Sequence, residues 1–280
     1  LAEQYAQDYS WRINVETGRL QEIILKLTEE GESVSTSLPF SLKDSTDHLS
    51  QERINAWKGL LSSAASAEQS EEMVIDPVLC AFKNNPLLLR YLKTHMRDEQ
   101  RHQIHLKEYV KTNFNFVKKK KTLTDVVIYK GIFGGVKQIS ARRPLPIITA
   151  ILFYEWFAEE FYAELTALAE KDQLFNLKKL FERIEKDELR HRAGIKALLA
   201  LWKKEGRKID KTDYLLTQFL LGVTRMDVNT ASWAFYNKRL KTNLKALGLD
   251  TEEIYERSKA YAKKALDELA GEVQLSETAQ

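Results

Sequence analysis

Two short segments of this 280-residue chain nearly repeat each other: Asp98-Glu99-Gln100-Arg101-His102 and Asp187-Glu188-Leu189-Arg190-His191. On a helix, a separation of three residues puts the carboxylate and the imidazole on one face, one turn apart. A single Glu-x-x-His is a weak signal, whereas two copies sharing Asp and Arg at the same offsets are a strong one. Both sit in apolar rows of helical period. One row is Leu88, Leu92, His95, Glu99, His102, Leu106 and Tyr109; the other is Leu177, Phe181, Ile184, Glu188, His191, Ile195, Leu198 and Trp202. A carboxylate facing such a core is costly or becomes protonated unless its charge is compensated, and a divalent cation is the simplest compensator. The lone cysteine, Cys80, excludes a thiolate-rich site, so the donors must be His and carboxylate. A pair of cations needs more than two carboxylates. Glu68, 31 residues before Glu99, and Glu155, 33 before Glu188, supply two more at comparable depth if the helices are antiparallel with short loops.

The elements that must hold these residues are helices. With 11 glycines and 5 prolines the chain is poor in turn formers, which disfavours an all-β fold. Ser50 is expected to cap a helix running to about Met73 and closed by Asp76-Pro77; Asn85-Pro86 opens a second. A third begins near Pro144 and Pro146 with the row Ile148, Ile151, Glu155, Ala158, Tyr162 and Leu165, and a fourth follows Asp172-Gln173 and stops at Gly206. About thirty residues, Asn113 to Arg143, separate the second helix from the third, as in a four-helix bundle with one long crossover. Outside the bundle, residues 1–30 are amphipathic but interrupted at Val15 to Gly18. A helical region after Asp210 breaks at Gly222 and stops at Gly248, and Asp250 with Glu253 opens a last helix to about Ala270, before a frayed tail from Ser276 to Gln280. Three segments result: an extension, 1–49; the bundle, 50–204; and accessory helices, 205–280.

Several residues compete for roles. His95, four residues before Glu99, faces the same level and is a candidate additional ligand; Glu159, one turn beyond Glu155, is another. Glu71 and Glu72 are poorer rivals to Glu68, and His48 and His105 have no assigned role. Asp98 and Asp187 adjoin the ligand glutamates just off the core face, and Arg101 and Arg190 either balance them or are solvated helical charges. Lys118 to Lys121, with Lys111 nearby, are read as a solvated run: no aromatic or Gly-rich nucleic-acid motif accompanies them, and the net charge is only +3, so a nucleic-acid partner is not expected. The apolar stretches Leu145 to Tyr154 and Tyr214 to Val223 are shorter than the ~20 residues that span a bilayer, so no membrane helix is expected. One cysteine suits a reducing, cytoplasmic compartment.

With Glu68, Glu99-x-x-His102, Glu155 and Glu188-x-x-His191 in this order, residues 50–204 resemble the ferritin-like di-iron carboxylate proteins. The resemblance implies an all-α, ferritin-like four-helix bundle with a long crossover between helices two and three, plus extra N- and C-terminal helices. It implies Glu68, Glu99, His102, Glu155, Glu188 and His191 as ligands of two metal ions, Fe or Mn/Fe, bridged by a carboxylate. It further implies that Asp98 and Asp187 accept hydrogen bonds from the far ring nitrogens of the ligand histidines, each across to the other helix. The activity implied is that of a non-haem di-iron oxidase or oxygenase, with dioxygen, a small organic substrate and an electron donor as partners; a homodimer is compatible with it. The alternatives within the resemblance are a ferroxidase or iron-storage protein and a Mn/Fe ligand-binding oxidase-like protein.

Overall fold

The computed structural model describes residues 16–114, 138, 142–206, 210–229 and 242–270. Among these there is no strand. Among the described residues, seven long helices carry the architecture: α1 (Thr17–Ser33), α2 (Gln51–Leu79), α3 (Pro86–Phe114), α4 (Pro144–Lys171), α5 (Phe175–Lys204), α6 (Lys211–Asn229) and α7 (Glu252–Ala270); residues 242–247 are also helical. Local chemistry sets several of the helix ends. Ser50 Oγ accepts the N–H of Arg53 at 3.2 Å, and Asn85 Oδ1 accepts that of Leu88 at 3.1 Å just before Pro86. Gly206 and Gly248 have φ of +76° and +77°, the left-handed conformation that ends a helix without steric cost. The start of α5 is capped from a distance: Asp44 accepts the N–H groups of Asn176 and Leu177, both at 3.0 Å, and the Tyr109 hydroxyl at 2.8 Å.

Three local expectations are corrected. α2 does not close at Asp76-Pro77 but runs to Leu79 and into a 3₁₀ turn, Cys80–Phe82. Pro77 lacks an N–H for the ladder, yet Ile75, Val78 and Phe82 around it are buried in the core, and their burial outweighs the lost bond. α6 passes through Gly222 without a break, while Gly18 lies in the first turn of α1, behind an extended Glu16, and Val15 of the expected interruption lies outside the described residues. The last helix begins at Glu252; Asp250 accepts the N–H of Glu252 at 3.0 Å from just outside it. Most of the expected crossover, the first fifteen residues and the expected tail lie outside the described residues.

Helices α2 and α3 pack along their lengths, as do α4 and α5; α3 also meets α5, and α2 meets α4. Two apolar clusters show their directions. One joins Ile75 and Val78 of α2, Leu88 and Leu92 of α3, Ile148 and Ile151 of α4, and Ile195 and Leu198 of α5. The other joins Trp57 and Leu61, Leu106 and Tyr109, Tyr162 and Leu165, and Leu177 and Phe181 from the same four helices. Each helix therefore passes from one hydrocarbon layer to the other, and every contacting pair is antiparallel. The acidic residues and histidines of the sequence rows fall between the layers.

The remaining helices cover this assembly. α1 lies on α3 and α5 and places Leu20, Ile24 and Leu27 in the first apolar cluster. α6 and α7 lie on α4, and Tyr261 and Leu266 of α7 join that same cluster, with the Tyr261 ring 3.7 Å from that of Trp156. No described helix is long and apolar enough to cross a membrane.

Candidate metal centre

Between the apolar layers the structure gathers seven buried side chains: Glu68 from α2, His95, Glu99 and His102 from α3, Glu155 from α4, and Glu188 and His191 from α5. Their donor atoms form two groups, each within 4.8 Å of one another: His95, Glu99, Glu155 and His191; and Glu68, Glu99, His102 and Glu188. Glu99 belongs to both. His102 Nδ1 stands 3.2 Å from Glu188 and 3.4 Å from Glu68; His191 Nδ1 stands 3.0 Å from Glu99 and 3.3 Å from Glu155. The six ligands implied by the sequence resemblance are thus brought together, and His95 joins them, its Nε2 lying 2.8 Å from Glu155 Oε1.

This donor set fits divalent cations. Both carboxylate oxygens of Glu188 and Nδ1 of His191 are buried without a well-aligned hydrogen bond, although oppositely charged or polar atoms lie within 3.6 Å. Buried polar atoms that converge without pairing have no compensation of their own. Hard carboxylate oxygens mixed with imidazole nitrogens, and no thiolate, suit first-row ions such as iron or manganese.

Behind the donors lies a closed ring of buried charge. His102 Nε2 donates to Asp187 at 3.0 Å and His191 Nε2 approaches Asp98 at 3.3 Å, each across the α3–α5 contact. Arg101 joins Asp98 at 2.9 Å to Asp187 at 2.5 Å; Arg190 joins Asp187 at 2.7 Å to Asp98. Both arginines are buried, so of their two expected roles they take that of balancing the acids. Carboxylates in this position fix the tautomer and orientation of a ligand imidazole and leave Nδ1 facing inward.

The ring also sets the local electrostatics. Burial opposes the charge on Asp98 and Asp187, but His191 and His102 respectively, together with both arginines, hold these carboxyls below their usual range. Burial likewise opposes a charged His102, yet the carboxylates of Asp187, Glu188 and Glu68 facing its ring raise its pKa well above the ordinary value. His95 goes the other way: burial, then the nearby His191 and Arg190, push it well below.

Other candidates lie elsewhere. Glu159 is turned away from the donors; its Oε2 lies 2.8 Å from Arg192, whose guanidinium covers the Trp156 ring. Burial pushes its carboxyl up to about 7 despite that arginine. The helix phase explains this: Glu155 is wholly buried, and the next turn of α4 rises out of the core. His48 Nε2 donates to the Asp172 carbonyl at 2.7 Å, and His105 lies near Glu108 beside the 36–43 segment. The side chains of Glu71 and Glu72 and the run Lys118 to Lys121 lie outside the described residues. Tyr162, given no role in the sequence analysis, donates its hydroxyl to Glu68 Oε1, and Tyr91 donates to the backbone carbonyl of His191 at 2.8 Å. Tyr162 stood in the same inward row as Glu155, seven residues on, which was the one available signal.

No protein-family model matches the chain, and the comparison with curated proteins returns no match.

Proposed function

We propose that this chain is a ferritin-like di-metal carboxylate protein that works as a non-haem di-iron oxidase or oxygenase. The observation that carries the reading is the sharing of Glu99 between two buried groups of His and Glu donors, the arrangement a carboxylate-bridged metal pair requires. The antiparallel order of α2 to α5 and the long stretch of sequence between α3 and α4 are in keeping with it. Glu68, Glu99, His102, Glu155, Glu188 and His191 would hold the ions. When bound, a pair of reduced iron ions supplies the electrons that dioxygen reduction needs, at a site whose carboxylates tolerate a change of metal charge.

The protein's own residues prepare that site. Asp98 and Asp187 orient the ligand imidazoles, and the Tyr162 hydroxyl fixes one oxygen of Glu68. The apolar layers on either side exclude bulk water and so strengthen each electrostatic contact between them. A small organic substrate and a separate electron donor complete the proposal.

Elemental analysis of the reconstituted chain is expected to find two iron ions per chain, and anaerobically reduced protein is expected to consume dioxygen. Glu188→Ala is expected to abolish stoichiometric loading, and a variant still holding two equivalents would overturn the site. Light scattering is expected to show a monomer or dimer; a large shell would replace the oxidase reading with iron storage.

A further inference from the structure

The two donor groups are unequal. Apart from the shared Glu99, one contains His95, His191 and Glu155, and the other His102, Glu68 and Glu188. The near-repeat of α3 and α5 breaks at this point: His95 stands four residues before Glu99, and the corresponding residue before Glu188 is Ile184, which is buried in the apolar layer. His95 is wholly buried. Its Nε2 lies 2.8 Å from Glu155 Oε1 and 3.4 Å from Glu99 Oε1, and its ring stacks on His191 at 3.8 Å with planes 21° apart. Neither ring nitrogen makes a hydrogen bond at these distances. A buried histidine with a purely structural role is normally held by one. Here the nitrogen and the neighbouring oxygens converge without being aimed at each other, as ligands of a common ion do.

We propose that His95 is a third imidazole ligand, and that it divides the centre into a nitrogen-rich site (His95, His191, Glu155) and an oxygen-rich site (His102, Glu68, Glu188) joined by Glu99. This rests on the di-metal reading. Imidazole favours Co²⁺ and Zn²⁺ as it does iron, whereas carboxylate-rich sites suit Mn²⁺ and Mg²⁺, so the two sites fill in order and with different preferences. Co²⁺ enters the nitrogen-rich site first, and Mn²⁺ competes best for the oxygen-rich one. His102 and His191 are each anchored by an aspartate at the far nitrogen, whereas His95 Nδ1 has no hydrogen-bond partner, which makes His95 the least restrained of the three.

The test is titration of the metal-free full chain with Co²⁺, followed by calorimetry and visible absorption, with proton NMR of the loaded protein in water. Two equivalents are expected in two resolved steps, together with three paramagnetically shifted imidazole N–H signals. His95→Gln is expected to weaken the first step by about 10- to 100-fold, leave the second nearly unchanged and remove one N–H signal. Two N–H signals in the unaltered protein would overturn the proposal without recourse to any variant. So would two equivalents binding in one uniform step that His95→Gln does not alter; either result leaves the di-metal reading standing. Failure of the unaltered chain to bind two Co²⁺ ions would remove that reading as well.

Discussion

Asp98 and Asp187 each face one histidine and both arginines of the buried ring, so neither can change without exposing the others. Removing one member of a buried, hydrogen-bonded charge group leaves its partners uncompensated, at a cost of about 3–5 kcal/mol. Asp187→Asn is therefore expected to lower the metal-free chain's unfolding free energy by about 3 kcal/mol, read as a fall in urea midpoint with unchanged slope. The pH dependence has a defined sign. Both carboxyls are depressed in the folded state, so their contribution is complete above about pH 4, near the unfolded Asp value, and is lost as the pH falls through their lower folded values. Urea titrations of metal-free protein between pH 2 and 6 are expected to show a loss of stability below pH 4, shallower in Asp187→Asn. Equal slopes in the two proteins would mean that the ring is not its source.

At the scale of the helices, the α3–α5 contact is fixed by a close approach as well as by charge. A Cβ at Gly194 of α5 would fall 2.3 Å from the Tyr91 ring, which is itself buried and donates its hydroxyl to the His191 carbonyl. The ring cannot swing away without releasing that bond to the backbone of His191. Gly194→Ala is thus expected to destabilise the protein by about 1–3 kcal/mol despite the better helix propensity of alanine, seen as a lower thermal midpoint. A neutral or raised midpoint would show that α3 and α5 have more room than the structure gives them. The same competition between local and tertiary terms explains α2, where a proline inside the helix is tolerated because Ile75 and Val78 are buried on either side of it.

For the molecule as a whole, the proposed centre would couple metal binding to folding. Four carboxylates and three imidazoles are enclosed between apolar layers, and ions that bind only the folded chain stabilise it by about 2.7 kcal/mol per site at a hundredfold excess over Kd. Two such sites are expected to raise the thermal midpoint by roughly 10 °C in a chain of this size. Calorimetry with and without Fe²⁺ or Co²⁺ under anaerobic conditions measures this rise, and Glu188→Ala is expected to lose most of it. A midpoint that does not respond to any divalent ion would sever the coupling.

The period of the helix translates spacing into direction, so the sequence alone determined that Glu99 and His102, and Glu188 and His191, point the same way, and that Glu68 and Glu155 lie near their level. It determined the capping by Ser50 and Asn85 for the same reason: these interactions span three residues. What it left open depends on contacts between residues far apart in the chain. Whether Glu155 or Glu159 enters the centre follows from the rotation of α4 against its neighbours. Whether Arg101 and Arg190 are solvated or buried follows from how closely α3 meets α5. The Tyr162 hydroxyl on Glu68 and the distant cap by Asp44 required partners 94 and about 130 residues away. Only packing selects among such partners, because side-chain burial is settled by the surfaces that meet and not by the period of either one.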